Sequence, residues 1–218
     1  MIGPVSLSAI YFIGTAIGLI VAVRAHQSRG SVANEVVGLA ICVAEWSLFY
    51  ALETLADSRE FRVLWSQLAY IGTYGSVAFL IRFCIRWLNP RRAGWWMALL
   101  WIVPTFMVVA AFTNELHQLV WTEVRQSEQF SYIYYYGHGP LFWVGIVYQY
   151  LLIFSSIVIV VVGVARRRGI YRQQALLVLL GVVIAVAGNA LYVTRSLPGL
   201  PADITPLTLA VATGFLLA

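Results

Sequence analysis

Long apolar runs recur along nearly the whole chain, and they constrain its fold more than any other feature. A helix needs about 20 mostly apolar residues to cross the hydrocarbon core of a bilayer, which is roughly 30 Å thick. Six runs reach that length: residues 5–23, 32–54, 61–85, 95–113, 141–165 and 175–194. The runs predict an all-α, polytopic membrane helical bundle.

A seventh apolar run starts at Ile204 and continues to Ala218, where the sequence stops. At 1.5 Å per residue, a helix over this run is about 22 Å long, which is shorter than a bilayer crossing. We therefore expect seven transmembrane helices, the seventh truncated. No linker or change of composition divides the chain, so residues 1–218 are expected to form a single domain, with a cytoplasmic output domain after residue 218.

The composition supports the membrane assignment. Apolar residues make up 61% of the chain and charged residues 11%, whereas soluble domains average about 45–50% and about 25%. The net charge of +5 does not indicate nucleic-acid binding, because the arginines cluster beside the apolar runs. The expected partner is the lipid bilayer.

The basic residues also predict an orientation. All 14 are arginines, and positively charged residues collect in cytoplasmic loops. Ten lie in alternate connections: Arg24, Arg29, Arg82, Arg86, Arg91, Arg92, Arg166, Arg167, Arg168 and Arg172. This bias predicts a plasma (inner) membrane protein with an extracytoplasmic N-terminus.

Several classes of enzyme and cofactor protein are excluded by missing residue types. The chain has no lysine for a retinal or pyridoxal Schiff base. Its histidines, His26, His117 and His138, lie in or beside loops, so none can pair across a haem within the bundle. The two aspartates, Asp57 and Asp203, lie outside the runs, which excludes a membrane aspartyl protease. We expect no cofactor and no catalytic activity in this chain.

Ionisable residues within membrane spans are costly and are functional candidates by default. Glu45 lies in the middle of the second run, and Trp46, Tyr50 and Glu53 follow at a spacing that puts them on one helical face, with Glu45 beside it. Interfacial packing of the rings, and structural pairing of Glu45 inside the bundle, remain alternatives.

Two other runs carry candidate residues. In the third, Tyr70 shares a helical face with Gln67 and Tyr74, while Trp65 lies on a second stripe that includes the pair Gly72 and Ser76. Small residues four apart allow close approach of a neighbouring helix. In the sixth run, Asn189 is either a ligand contact or a structural hydrogen-bonding residue. Pro104 and Pro206 are expected to free backbone carbonyls in the fourth and seventh runs.

The longest connection, residues 114–140, is expected on the outer side. It is rich in aromatic residues and glutamates, with His117, Trp121 and Tyr136 as candidates and Trp143 following it. The residues are compatible with a surface hairpin or with an amphipathic interfacial cap. They predict either a pocket for a small amphipathic or cationic ligand or an aromatic girdle at headgroup level. No tight ligand spacing favours a metal site.

Short segments in a fixed order resemble the seven-transmembrane N-terminal sensor region of bacterial and archaeal histidine kinases. The first is Trp-Ser-Leu-Phe-Tyr-Ala-Leu-Glu at residues 46–53. The others lie at residues 64–72, 117–122, 136–143, 148–152, 172–174, 188–189 and 203–206. The chain departs from the pattern at Gly145, where a polar residue is frequent, and at Val186 and Ala187, which replace a usual proline.

The resemblance implies a sensory input module that responds to an unidentified small-molecule or membrane stimulus and dimerises through its output domain. The residues expected to bind the stimulus or to switch are Glu45, Trp46, Tyr50, Glu53, Trp65, Tyr70, His117, Trp121, Tyr136, Trp143, Tyr148 and Asn189. The alternative is a small transporter or channel for a polar solute, with Glu45 and Asn189 lining the path.

Overall fold

A computed structural model describes residues 3–28, 30–89, 94–127, 132, 134–166, 170–193, 203 and 205–214. Most of these residues are helical. In chain order the elements are α1 (Pro4–Gln27), α2 (Ala33–Leu55), α3 (Arg59–Leu88), a 3-10 helix (Trp95–Trp101) that runs into α4 (Ile102–Phe112), α5 (Asn114–His117), β1 (Trp121–Gln126), β2 (Tyr134–His138), α6 (Pro140–Arg166), α7 (Ile170–Val193) and α8 (Thr205–Gly214).

Five of the described helical segments are long and apolar enough to cross a membrane. They are α1, α2, α3, the continuous segment Trp95–Phe112 and α6. They coincide with the first five apolar runs of the sequence, and α7 and α8 lie over the sixth and seventh. The prediction of a multi-pass helical membrane protein is therefore confirmed.

Small residues bring α1, α2 and α3 into close contact. A Cβ atom added at Gly18 of α1 would lie 2.9 Å from the Ala44 Cβ and 2.9 Å from the Ala40 carbonyl oxygen of α2. A Cβ added at Gly72 of α3 would collide with Cys42 and Glu45 of α2. Since lipid provides no hydrophobic drive for helix association, contacts of this kind contribute much of the packing. The close approach predicted from Gly72 is confirmed.

The Pro104 ring explains an irregularity of the fourth span. Proline has no N–H group, so it cannot donate a helical hydrogen bond to the carbonyl of residue 100. That carbonyl, on Leu100, instead accepts a hydrogen bond from the Tyr148 hydroxyl at 2.7 Å. The helix before this point has 3-10 geometry. The proline thus frees a carbonyl, as the sequence predicts, and the freed group joins the fourth span to α6.

A buried ion cluster lies at one end of the bundle. Glu35, near the start of α2, is 1% exposed. Its Oε1 atom lies 2.7 Å from Arg86 Nη1 and 3.5 Å from Arg82 Nη2, both on α3. A buried carboxylate needs such partners, because an uncompensated charge would cost several kcal/mol. The cluster ties α2 to α3 at this end.

A two-stranded antiparallel hairpin covers the opposite end of the bundle. Strand β1 pairs with β2, with an irregularity in register between Trp121 and Val124. The Asn114 side chain accepts hydrogen bonds from the backbone N–H groups of Val120 and Trp121 at 3.0 Å each, and donates to the Trp121 carbonyl at 2.9 Å. Of the two arrangements left open by the sequence, the hairpin is the one observed.

The contact at Gly18 can be tested with a matched pair of glycines. In Gly18→Val the added side chain overlaps α2, and overpacking of this kind costs about 1–3 kcal/mol. Gly3 has extended backbone geometry and nothing within 4 Å of an added Cβ, so Gly3→Val should behave as wild type. We expect a clearly lower thermal midpoint in detergent for Gly18→Val alone; equal midpoints would contradict the packing.

Candidate functional site

A cavity of about 150 Å³ lies beneath the hairpin, at the end of the bundle away from Glu35. Residues from α1, α2, α3, α6 and α7 line it, together with both strands of the hairpin and the segment before α8. The cavity is therefore a meeting point of most of the described elements.

Aromatic rings form two walls of this cavity. On one side the Tyr50 ring makes edge contacts with Tyr11 and Trp46, with ring centroids 5.6 Å and 6.0 Å apart. On the other side the Trp121 ring of the hairpin contacts Tyr70 of α3 at 5.3 Å and Tyr136 of β2 at 5.0 Å. Edge-to-face contacts at these separations are favourable and hold the rings in fixed orientations.

Glu53, near the end of α2, contributes a carboxylate to the cavity. The Tyr136 hydroxyl donates a hydrogen bond to Glu53 Oε1 at 2.7 Å, and the Ser66 hydroxyl donates to the Tyr136 oxygen at 2.7 Å. Arg62 lies nearby, but its Nη1 atom donates to the Tyr132 carbonyl at 2.6 Å. Neutral hydroxyl groups, rather than an ion pair, hold the Glu53 carboxylate.

Asp203 contributes a second carboxylate, just before α8. Its side chain accepts hydrogen bonds from the Thr205 N–H group at 2.9 Å and from the Thr205 hydroxyl. The Tyr50 hydroxyl donates to Oδ2 at 3.4 Å, and the Tyr11 hydroxyl donates to the Asp203 carbonyl at 2.9 Å. Burial raises the pKa of Asp203 to about 6, while the bonds from Thr205 and Tyr50 act in the opposite direction.

Asn189 extends this network to two more helices. Its Oδ1 atom accepts a hydrogen bond from the Tyr150 hydroxyl of α6 at 2.8 Å, and its Nδ2 atom donates to Thr205 Oγ1 at 3.4 Å. Through Asp203, Thr205 and Asn189, polar bonds connect α1, α2, α6, α7 and α8. Asn189 lines the cavity as well, so both roles considered for it from the sequence are compatible with its position.

Seven of the twelve residues singled out in the sequence line the cavity together: Trp46, Tyr50, Glu53, Tyr70, Trp121, Tyr136 and Asn189. The helical spacing of Trp46, Tyr50 and Glu53 was sufficient to predict their shared face. The hairpin residues Trp121 and Tyr136 were indicated by aromatic density and by the resemblance at residues 117–122 and 136–143.

The other five lie elsewhere. Glu45 packs against Gly72 at the contact of α2 with α3, and neither of its carboxylate oxygens has a hydrogen-bond partner among the described residues. The Trp65 ring stacks on Phe49 at 5.7 Å. The remaining three hold local structure: His117 accepts from the Leu119 N–H group, Trp143 contacts His138, and Tyr148 binds the Leu100 carbonyl.

Sequence reasoning missed several lining residues, including Asp203, Tyr11, Tyr74 and Gln149. Asp203 was noted only as a residue outside the apolar runs and in the resemblance at residues 203–206, and Tyr11 was not singled out, although Ser8 and Thr15 share its helical face. Gly145, one of the departures from the family pattern, allows the approach of Tyr74, since a Cβ there would collide with the Tyr74 hydroxyl. In the described part of the chain, no group of three His, Cys, Asp or Glu residues is placed to hold a metal ion.

The bond between Glu53 and Tyr136 can be measured by a double-mutant cycle. Glu53→Ala removes the acceptor and Tyr136→Phe removes the donor, so their effects on the free energy of unfolding should be non-additive by about 0.5–3 kcal/mol. Glu60 is an exposed carboxylate at the start of α3, and the cycle of Glu60→Ala with Tyr136→Phe should be additive. An additive result for Glu53 would contradict the bond.

The raised pKa of Asp203 predicts a pH dependence of stability. Because the folded state favours the protonated carboxyl, its contribution is fully present below the usual pKa of 3.8 and is lost as pH rises through about 6. We expect the thermal midpoint of Asp203→Asn to decrease less than that of the wild type between pH 3.8 and about 6. Asp57→Asn, at an exposed loop position, should keep the wild-type slope; the same slope in Asp203→Asn would contradict the assignment.

A comparison with known protein families identifies the family of the chain. The family model described as the N-terminal 7TM region of histidine kinase matches residues 7–218. It represents the transmembrane region and not the kinase catalytic domain. No curated protein gave a significant match. The match confirms the resemblance seen in the ordered segments of the sequence: the chain belongs to the family of N-terminal seven-transmembrane regions of histidine kinases.

Proposed function

We propose that the chain is the sensory input domain of a signal-transducing histidine kinase, and that it passes a stimulus in the cavity to a cytoplasmic output by rearrangement of its helices. In this proposal residues 1–218 form one seven-helix domain in the plasma membrane. The N-terminus and the hairpin are extracytoplasmic, and the Glu35 cluster lies at the cytoplasmic end. The distribution of arginines supports this orientation.

The observation that carries the proposal is the attachment of α8 to the cavity. Asp203 lines the cavity and also accepts the first backbone N–H group of α8, from Thr205. An occupant that displaces the Asp203 side chain therefore changes the hydrogen bonds at the start of α8. A ligand can shift the balance between two arrangements of the helices only if it contacts them differently. Because Asp203 belongs both to the cavity and to the start of α8, a ligand that contacts Asp203 is coupled to the arrangement of α8.

The twelve candidate residues divide into three proposed roles. The seven that line the cavity contact the stimulus. Glu45 acts in switching, because a carboxylate without partners at a helix contact favours any rearrangement that gives it one. Trp65, His117, Trp143 and Tyr148 position the hairpin and the helices around the cavity. The kinase output domain, which we expect after residue 218, provides the homodimer contact.

The proposal is tested with the chain joined to a histidine-kinase core and reconstituted in lipid nanodiscs. Glu45→Gln, Glu53→Gln and Trp121→Ala should each change the autophosphorylation rate about five-fold or more, which corresponds to a coupling free energy of about 1 kcal/mol. Glu123→Gln removes an exposed hairpin carboxylate whose ion pair among the described residues is with the exposed Arg125, and should leave the rate unchanged.

Unchanged rates in all three variants would overturn the sensory assignment. Flux of a polar solute into liposomes that contain the 218-residue chain alone, abolished by substitution of Glu45 or Asn189, would instead support the transporter alternative.

A further inference from the structure

We infer that the cavity binds a small organic cation, an alkylated ammonium ion. This inference deepens the proposed function, because it names the ligand class of the same site. It depends on two features: two carboxylates and the aromatic walls.

The first feature is negative charge. Glu53 and Asp203 both line the cavity. Over the described ranges, ion pairs are found for Glu35 and Glu123 but not for either of these two carboxylates. The nearest guanidinium to Glu53, that of Arg62, lies over the Tyr134 ring at 4.8 Å and binds the Tyr132 carbonyl. The charge of Arg62 partly offsets that of Glu53, and a cation in the cavity would balance the remaining negative charge.

The second feature is the chemistry of the walls. Rings of Tyr11, Tyr50, Trp46, Tyr70, Trp121 and Tyr136 line the cavity, and cations bind favourably over ring faces, most of all when desolvated. The carboxylates already accept hydrogen bonds from Tyr136 and from Thr205. They therefore act mainly through charge, and the walls favour alkyl groups on the nitrogen over additional N–H donors.

The size of the cavity limits the ligand to a compact molecule. An apolar protein cavity of about 150 Å³ holds a molecule of the size of benzene, and this cavity has about the same volume. Choline has the required charge and alkyl groups in a compact shape, and it is the probe of choice for the ligand class.

The test is calorimetric titration of the full chain in nanodiscs with four probes. Choline should bind. Its neutral counterpart of the same shape, 3,3-dimethylbutan-1-ol, should bind at least ten-fold more weakly, which is a loss of about 1.4 kcal/mol or more. Tetramethylammonium should bind as well, and propionate should not bind.

A variant tests the role of charge. Glu53→Gln should weaken choline binding about ten-fold or more. Glu123→Gln is the control and should bind choline as wild type does. Thermal midpoints identify any variant that fails to fold, and in that case the four probes on the wild-type chain decide.

The inference is overturned if choline at about 10 mM gives no binding heat, or if the neutral alcohol binds as tightly as choline. Its failure is distinguishable from failure of the proposed function. If cavity variants alter the kinase rate but choline does not bind, the ligand class is wrong and the sensory role stands. If choline binds but neither it nor the cavity variants change the kinase rate, the ligand class stands and the sensory role is wrong.

Discussion

Polar groups buried in a membrane bundle must find their partners within the bundle, because lipid offers none. The bonds around Asp203 satisfy this constraint for several helices together. Hydroxyl groups from α1 and α2, an amide from α7 and the first turn of α8 converge on Asp203 and Thr205. Displacement of this single carboxylate would break its bonds to α2 and to the first turn of α8 together, so the positions of those two helices are coupled.

Close packing at two glycines fixes the positions of the helices around this network. At Gly18 and Gly72 the helices α1, α2 and α3 approach so closely that an added methyl group has no room. Packed helices have discrete arrangements rather than a continuous range of them. The three helices therefore form a firm base, and the segment before α8 joins it through hydrogen bonds such as the 3.4 Å contact from the Tyr50 hydroxyl to Asp203.

The sequence predicted the helices and part of the site because both depend on local periodicity. Residue spacing put Trp46, Tyr50 and Glu53 on one face, and apolar length located the spans. Asp203 and Tyr11 were missed because their bond joins residues 192 positions apart, and no local pattern encodes such a contact. Glu45 shows the same limit: spacing put it beside the face of Trp46, but only the packing of α3 determines that it meets Gly72.

The three glutamates of α2 differ in their partners, and the difference indicates which end of the bundle is able to respond. Glu35 has two arginines, and breaking such buried pairs costs several kcal/mol. Glu53 accepts a hydrogen bond from the neutral Tyr136 hydroxyl, and the nearby Arg62 side chain binds the Tyr132 carbonyl instead. Glu45, midway along the helix, has no partner among the described residues. Resistance to rearrangement is thus greatest at the Glu35 end, and a stimulus acts with least opposition at the cavity beneath the hairpin.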